Sequence, residues 1–283
     1  MRERVEKRSK TMQVDRGIDI VGDIHGCYQE FLQLLGLLGY VEKDGYYRHP
    51  QGRKLLSLGD ITSRGPESLQ LLQFFVRHIA AGLAEMTDSN HGWKIARWLD
   101  GRAVTLAHGD EKVAEEFRQY EAEFGKKKAD ELKEASRKLL LTSPSHIMLK
   151  RNGEIVAVAV HAGIRDDYIG RESSAVQTYC RYGDIAGVAA DGRPIRKEWA
   201  NERKSQRCLI VWGHDPRLEP EWKNNTLNID QGCVFGGKLT AYRFPDNELV
   251  SVKAAENYSG QTDTPLTRCR ERMQAELKLH PGS

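Results

Sequence analysis

The chain has 283 residues, a formal net charge of +3, 39% hydrophobic and 29% charged residues. A mean hydropathy of −0.60 describes a soluble globular protein with a polar surface, long enough to bury a sizeable core. The longest apolar runs, Ile155 to Val160 and Cys208 to Trp212, fall far short of the ~20 residues of a membrane span, and the charged N-terminus has no apolar stretch behind it to make a secretory signal.

Five scattered cysteines (Cys27, Cys180, Cys208, Cys233, Cys269) form no C-x-x-C pair. That suits a reducing compartment, so a cytoplasmic protein is expected. Residues 1–16 hold six Lys/Arg against three acidic residues, and the remainder is balanced at 37 of each. Overall charge therefore gives no argument for nucleic acid, and residues 1–16 read as a basic, solvated tail.

The apolar run from Ile18 reads as a buried strand entering a tight turn, Gly22-Asp23-Ile24-His25-Gly26. Apolar residues at 28, 31, 32, 35 and 38 have helical spacing. Leu55 to Leu58 is a second strand leading into Gly59-Asp60, and Pro66 opens a helix whose buried stripe is Leu69, Leu72, Val76, Ile79 and Leu83. A short helix follows His91 and ends near Gly101. The charged stretch 111–143, with Lys126-Lys127-Lys128 at its middle, predicts one or two exposed helices covering one end of the core.

Asn152-Gly153 between strand-like runs signals a hairpin delivering His161. Cys208 to Trp212 is a buried strand delivering His214, and Thr226 to Ile229, Cys233 to Phe244 and Leu249 to Lys253 complete the β structure. These runs predict an α/β domain over 17–258, built on a mixed sheet or on two packed sheets with helices outside, and a polar tail at 259–283 containing a short amphipathic stretch, Met273 to Leu279.

Five segments each place Asp, Asn or His at the expected end of an element: Gly22–Gly26, Gly59–Gly65, Ser89-Asn90-His91, Val160–Gly163 and Trp212–Pro216. Functional residues collect there in α/β sheets. Asp23 and His25, two residues apart, point to one side of an extended chain. Together Asp23, His25, Asp60, Asn90, His161 and His214 form a candidate set of metal ligands, with Asp60 able to bridge. A mixed N/O set without thiolate suits Mn, Fe, Zn, Co or Ni and suits Ca poorly. Two dications about 3.5–4 Å apart clamp a phosphoryl group and supply a hydroxide nucleophile at neutral pH. Arg64, four residues after Asp60, offers a guanidinium fork for phosphate. His91, beside Asn90, is placed to protonate the leaving oxygen. His49, His78, His146 and His280 read as structural or surface residues, and so, with less separation, does His108.

These segments resemble the signature of the calcineurin-like metallophosphoesterase superfamily: GDxHG, GDxxDRG, GNH(D/E), a later His, and GH. Stretches 219–226 and 228–241 are similar to the subgroup containing the phosphatase domain of bacterial polynucleotide kinase-phosphatase and the PrpE-type bis(5'-nucleosyl)-tetraphosphatases and protein phosphatases. The likeness spans roughly residues 17 to 255. It implies two sheets packed face to face, the six ligands above, two divalent cations with manganese foremost, and in-line hydrolysis of a phosphate ester. The substrate would be a nucleotide, a dinucleoside polyphosphate, a phosphoprotein or a nucleic-acid end. Arg64 and Asn90 would contact it.

The chain departs from that pattern twice. Ser63 stands where the likeness has its second Asp, the carboxylate that orients the catalytic His, and Ser89-Asn90-His91-Gly92 replaces GNHD. His91 is therefore expected to be a weakened general acid, with aryl phosphates hydrolysed relatively better than alkyl phosphates and with Ser63→Asp raising activity on the latter. A binding-only relative that senses a nucleotide or docks a partner is the alternative that Ser63 and Gly92 favour. A nucleic-acid accessory using the basic tail and Lys126 to Lys128 ranks lowest, because charge runs are usually solvated helix faces.

Overall fold

Alternation of apolar side chains along the strands fixes the layers. In the computed structural model, which describes residues 9–188 and 194–279, Ile18 and Ile20 point into one core while Val21 points into another. Likewise Ala157, Ala159, Leu209 and Val211 face inward, while Val158, Val160, Ile210 and Trp212 face the opposite side of their sheet. A period of two splits each strand between two faces, and both faces here are covered, so the strands are apolar throughout.

Two mixed sheets result. One has the order Lys10–Gln13, His146–Arg151, Glu154–Val160, Leu209–Trp212, Thr226–Asn228, Glu221–Lys223. The other runs Asp230–Gln231, Lys238–Phe244, Ile18–Val21, Lys54–Ser57, Ala84–Met86, with Glu248–Lys253 also paired to Lys238–Phe244. Ile20, Leu56, Ile147, Val211, Leu227 and Tyr242 interlock between them as the sandwich core. Helices Tyr28–Leu38, Ser68–Ala80, Asn90–Leu99, Asp110–Phe124 and Lys126–Thr142 cover the outer face of the second sheet. The Ser174–Tyr182 helix and Trp199 cover the outer face of the first.

Several expected elements shift. Lys10–Gln13, read as tail, is an edge strand parallel to His146–Arg151, with Met12 and Val14 buried in the sandwich. The basic residues 1–8 and His280 lie outside the described residues. Leu83 does not continue the preceding helix, which ends at Ala80, and Ala84–Met86 forms an edge strand parallel to Lys54–Ser57. The predicted hairpin turns at Asn152 (φ 53°) and Gly153 (φ 83°). The charged stretch folds as the two helices Asp110–Phe124 and Lys126–Thr142, which bury Val113, Phe117 and Leu140. Beyond 259, the Pro265–Leu279 helix begins by burying Leu266. No described helix is long and apolar enough to cross a membrane.

Candidate metal and phosphate site

Four strands deliver the site residues at their carboxyl ends. Ile18–Val21 leads to Asp23 and His25, Lys54–Ser57 to Asp60, Glu154–Val160 to His161 and Leu209–Trp212 to His214, while Asn90 opens its own helix. Ser89 caps that helix, its hydroxyl accepting the Gly92 N–H at 3.2 Å and the Asp60 N–H at 2.9 Å. The capping side chain thus ties two of the loops together.

The loops carry unusual backbone. His25 (φ 48°), Asp60 (φ 40°), Ser63 (φ 78°), Arg64 (φ 72°) and His214 (φ 70°) all sit in the left-handed region, which costs non-glycine residues of order 1 kcal/mol or more each and persists only where the surroundings enforce it. Backbone hydrogen bonds enforce it here. His25 N–H donates to Asp60 O (2.8 Å), Gly26 N–H to Ile61 O and Gly65 N–H to His25 O (both 3.0 Å). A side chain at Gly65 would lie 2.1 Å from the His25 carbonyl, and one at Gly213 would lie 2.2 Å from Asp23 Oδ1.

The six candidate ligands converge. His25 Nε2 and His161 Nε2 each lie 3.5 Å from Asp60 Oδ2. His161 Nε2 is 2.8 Å from Asn90 Oδ1 and 3.0 Å from His214 Nδ1. Asp23 accepts the His214 backbone N–H at 3.2 Å. His25 Nδ1 and His161 Nδ1 donate to the carbonyls of Thr62 and Leu58, each at 3.0 Å. Those bonds fix the tautomer and turn both Nε2 lone pairs inward.

Burial pushes the imidazole of His25 down to about 3 and lowers those of His161 and His214 as well, so all three are neutral. Burial works against ionising Asp60, but the positive charge that His161, His91 and His25 carry when protonated outweighs it and draws the carboxyl well below its usual range. Asp23 is raised well above that range by burial, then by Asp230 and Asp60. Burial likewise lifts Asp230 to about 7.

The donor set has the chemistry of a site for divalent cations. His161 Nε2, Asn90 Oδ1 and Asp60 Oδ2 are acceptors facing one another beside His214 Nδ1, and His214 Nε2 is buried without a hydrogen-bond partner. Asp23 and Asp230 add two mutually repelling buried carboxylates. Such a cluster is unfavourable alone and is relieved by cations among the acceptors. The residues fit.

Beside this cluster, Arg64 Nη2 donates to His91 Nε2 at 3.0 Å, and the His91 N–H donates to Asp60 Oδ1 at 3.1 Å. His91 does have a carboxylate partner, contrary to expectation. Its Nδ1–H donates to Asp110 Oδ1 at 2.6 Å. The Ser63 hydroxyl donates to the same oxygen at 2.8 Å, and Lys94 Nζ lies 2.7 Å from Oδ2. Burial would raise the Asp110 pKa, but the hydrogen bonds from His91, Lys94 and Ser63 prevail and bring it to about 2. The premise of an unsupported His91 is thereby corrected. Gly92 is also accounted for, since a side chain there would meet Ser89 Oγ at 2.8 Å.

Sequence reading missed Asp110 and Asp230. Asp230 sits in the stretch used only for its likeness to relatives. Asp110 follows His108 (φ 63°) and Gly109 (φ 91°), a left-handed pair that opens a helix, yet nothing local says which side chain it faces. His108 itself is exposed, His78 stacks on Phe74 at 3.7 Å and His146 is buried in the sheet.

The model of the calcineurin-like phosphoesterase family matches residues 17–250. The chain is 41% identical to bis(5'-nucleosyl)-tetraphosphatase PrpE [asymmetrical] of Anoxybacillus flavithermus, over 88% of this chain and 98% of that protein. It is 44% identical to the Bacillus cereus protein of the same name, over 88% and 99%. Among solved structures it is similar in fold to a candidate diadenosine tetraphosphatase (TM-score 0.58, 20% identity, 88% of this chain and 99% of that one). A serine/threonine phosphatase from Saccharomyces cerevisiae shares the fold as well (TM-score 0.53, 12% identity, 88% and 84%). The chain belongs to the calcineurin-like phosphoesterase family and, with it, is a metal-dependent hydrolase of phosphate esters.

Proposed function

We propose that this chain hydrolyses dinucleoside tetraphosphates at the cluster around Asp60, cutting them into unequal nucleotide products. The convergence of acceptors on Asp60, with Arg64 at its edge, carries the reading of the site. The substrate class rests on the near full-length similarity to the PrpE proteins. Asp23, His25 and Asp60 would hold one divalent cation, and Asp60, Asn90, His161 and His214 a second, manganese being the foremost choice for a mixed N/O set. Bound there, the cations supply Lewis acidity at the phosphoryl oxygens and an activated water.

The chain's own groups complete the chemistry. Arg64 turns its guanidinium from His91 to the phosphate and neutralises charge in the transition state. His91, freed at Nε2 when Arg64 turns away, takes up a proton from solvent at that nitrogen, hands it to the leaving oxygen and returns to the neutral form. A cleft beside His214 is walled by the aromatic rings of Tyr182, Trp199 and Trp212, with Arg196 and Lys197 each paired to an acidic neighbour, Asp215 and Asp184, at 3.6 Å, and would take the rest of the substrate. The binding-only alternative loses its two supports, since Asp110 serves His91 and Ser89 fills the space opposite Gly92.

The test is a substrate panel with added manganese: a dinucleoside tetraphosphate, p-nitrophenyl phosphate, a phosphopeptide and a phosphate-ended oligonucleotide. The tetraphosphate should be cleaved fastest, and Asp60→Asn should abolish the activity. A preference for the phosphopeptide or the oligonucleotide would overturn the substrate assignment. Turnover no greater than that of Asp60→Asn would overturn the site.

A further inference from the structure

We infer that Asp110 is the positioning residue for His91, a carboxylate relocated from the Asp60–Arg64 loop to the start of the Asp110–Phe124 helix. The inference rests on the phosphoesterase reading above and adds how its proton donor is held. An imidazole can flip about its ring axis and exchange tautomers. A buried carboxylate on Nδ1 settles both, leaving Nε2 toward Arg64 and the site.

Three observations separate this from an incidental contact. First, Asp110 is completely buried, and its oxygens meet three side chains from two other segments: His91 and Lys94 of the Asn90–Leu99 helix, and Ser63. An acidic residue at a helix start ordinarily serves its own backbone N–H groups. Second, the helix start is fastened to the loop that carries Arg64. Arg64 N–H donates to Gly109 O at 3.1 Å, Leu69 N–H donates to Glu116 Oε2 at 2.8 Å, and Lys112 Nζ donates to Arg64 O. A side chain at Gly109 would lie 2.6 Å from the Arg64 backbone, so the two segments touch directly. Third, Ser63 is what an incoming carboxylate requires of its neighbour, a small neutral donor. Its hydroxyl lies 2.8 Å from Asp110 Oδ1. Aspartates at both positions would set two carboxylates against each other, and one of them would have to stay protonated.

The pocket around His91 Nδ1 therefore has room for one carboxylate and accepts it from either side. Three full-length variants test this with manganese: Asp110→Asn, Ser63→Asp, and the exchange Ser63→Asp/Asp110→Ser. Asp110→Asn should lower kcat on an alkyl or nucleotide phosphate about 10–100-fold with KM little changed. p-Nitrophenyl phosphate, whose leaving group needs no proton, should lose less than about three-fold. The exchange variant should regain most of the loss, and Ser63→Asp alone should not gain. Equal losses on both substrates in a folded Asp110→Asn protein, or an exchange variant no better than Asp110→Asn, would overturn the inference.

Should the variants fail to fold, proton NMR of the magnesium-loaded wild-type chain decides. A downfield imidazole N–H resonance that disappears in His91→Gln supports the pair, and its absence overturns it. A wild-type chain without phosphatase activity would overturn the proposed function instead, and the resonance would then decide the pairing alone.

Discussion

The cluster around Asp60 and the arm that holds His91 sit side by side but are built by different rules. In the cluster, strand ends place every acceptor but Asn90, left-handed backbone aims His25, Asp60 and His214, and main-chain hydrogen bonds from His25, Gly26 and Gly65 lock the loops together. Moving such a residue along the chain would mean rebuilding the turn that aims it. In the arm, the requirement is one carboxylate oxygen within hydrogen-bond reach of His91 Nδ1. Any element passing the pocket can supply it. Here a helix start does, 47 residues beyond Ser63. Backbone-coded positions are fixed in sequence, whereas side-chain-coded positions are free to migrate.

The largest effect should come from the fixed region. Asp60→Asn removes the acceptor shared by His25 and His161 and should cost on the order of 10³-fold in turnover, as the loss of a central electrostatic group does. Metal affinity, measured by titration, should fall with it. Retained turnover would remove the distinction between cluster and arm.

A smaller effect belongs to the arm. Ser63→Asp alone, expected from the family pattern to raise activity on alkyl phosphates, should instead lower it by about 10-fold, because Asp110 already occupies the pocket. Manganese affinity should hardly change. A gain in activity would mean that the pocket takes two carboxylates.

This difference also explains what could be read from sequence. The six candidate ligands could be singled out because each lies in a short motif at the end of an apolar run or the start of a helix. The α/β class was legible because the strands are short, apolar and separated by turn residues such as Asn152-Gly153, while the packing of two sheets face to face came from the family likeness. The Lys10–Gln13 strand was not, since only Met12 of its four residues is buried. Ala84–Met86 was masked because Leu83 extends the apolar stripe of the preceding helix in sequence but not in space. Asp110 was invisible because its meaning lies in a contact across 19 residues to His91, while its own neighbours say only that a helix begins.

A third effect, on stability rather than turnover, lies outside both regions and measures how acid reaches them. His146 is fully buried, its Nε2 accepts the Gly170 N–H at 2.9 Å, and burial pushes its pKa down from 6.5 to about 4. The folded chain therefore binds fewer protons than the unfolded one between those values, and stability falls as pH drops from 6.5 to about 4. The loss is at most about 3 kcal/mol. Asp110, with its pKa brought from 3.8 to about 2, keeps its charge through that window and gives up its contribution only below it. Melting temperature followed against pH should show the first decline, and His146→Gln should flatten part of it. An unchanged profile in that variant would place the acid sensitivity elsewhere.

The most direct test of the whole account is anomalous diffraction from crystals of the chain grown with manganese. The account predicts two ions about 3.5–4 Å apart with Asp60 between them, one beside Asp23 and His25, the other beside Asn90, His161 and His214, and with Asp110 still bound to His91. A single ion, or ions bound away from Asp60, would contradict it.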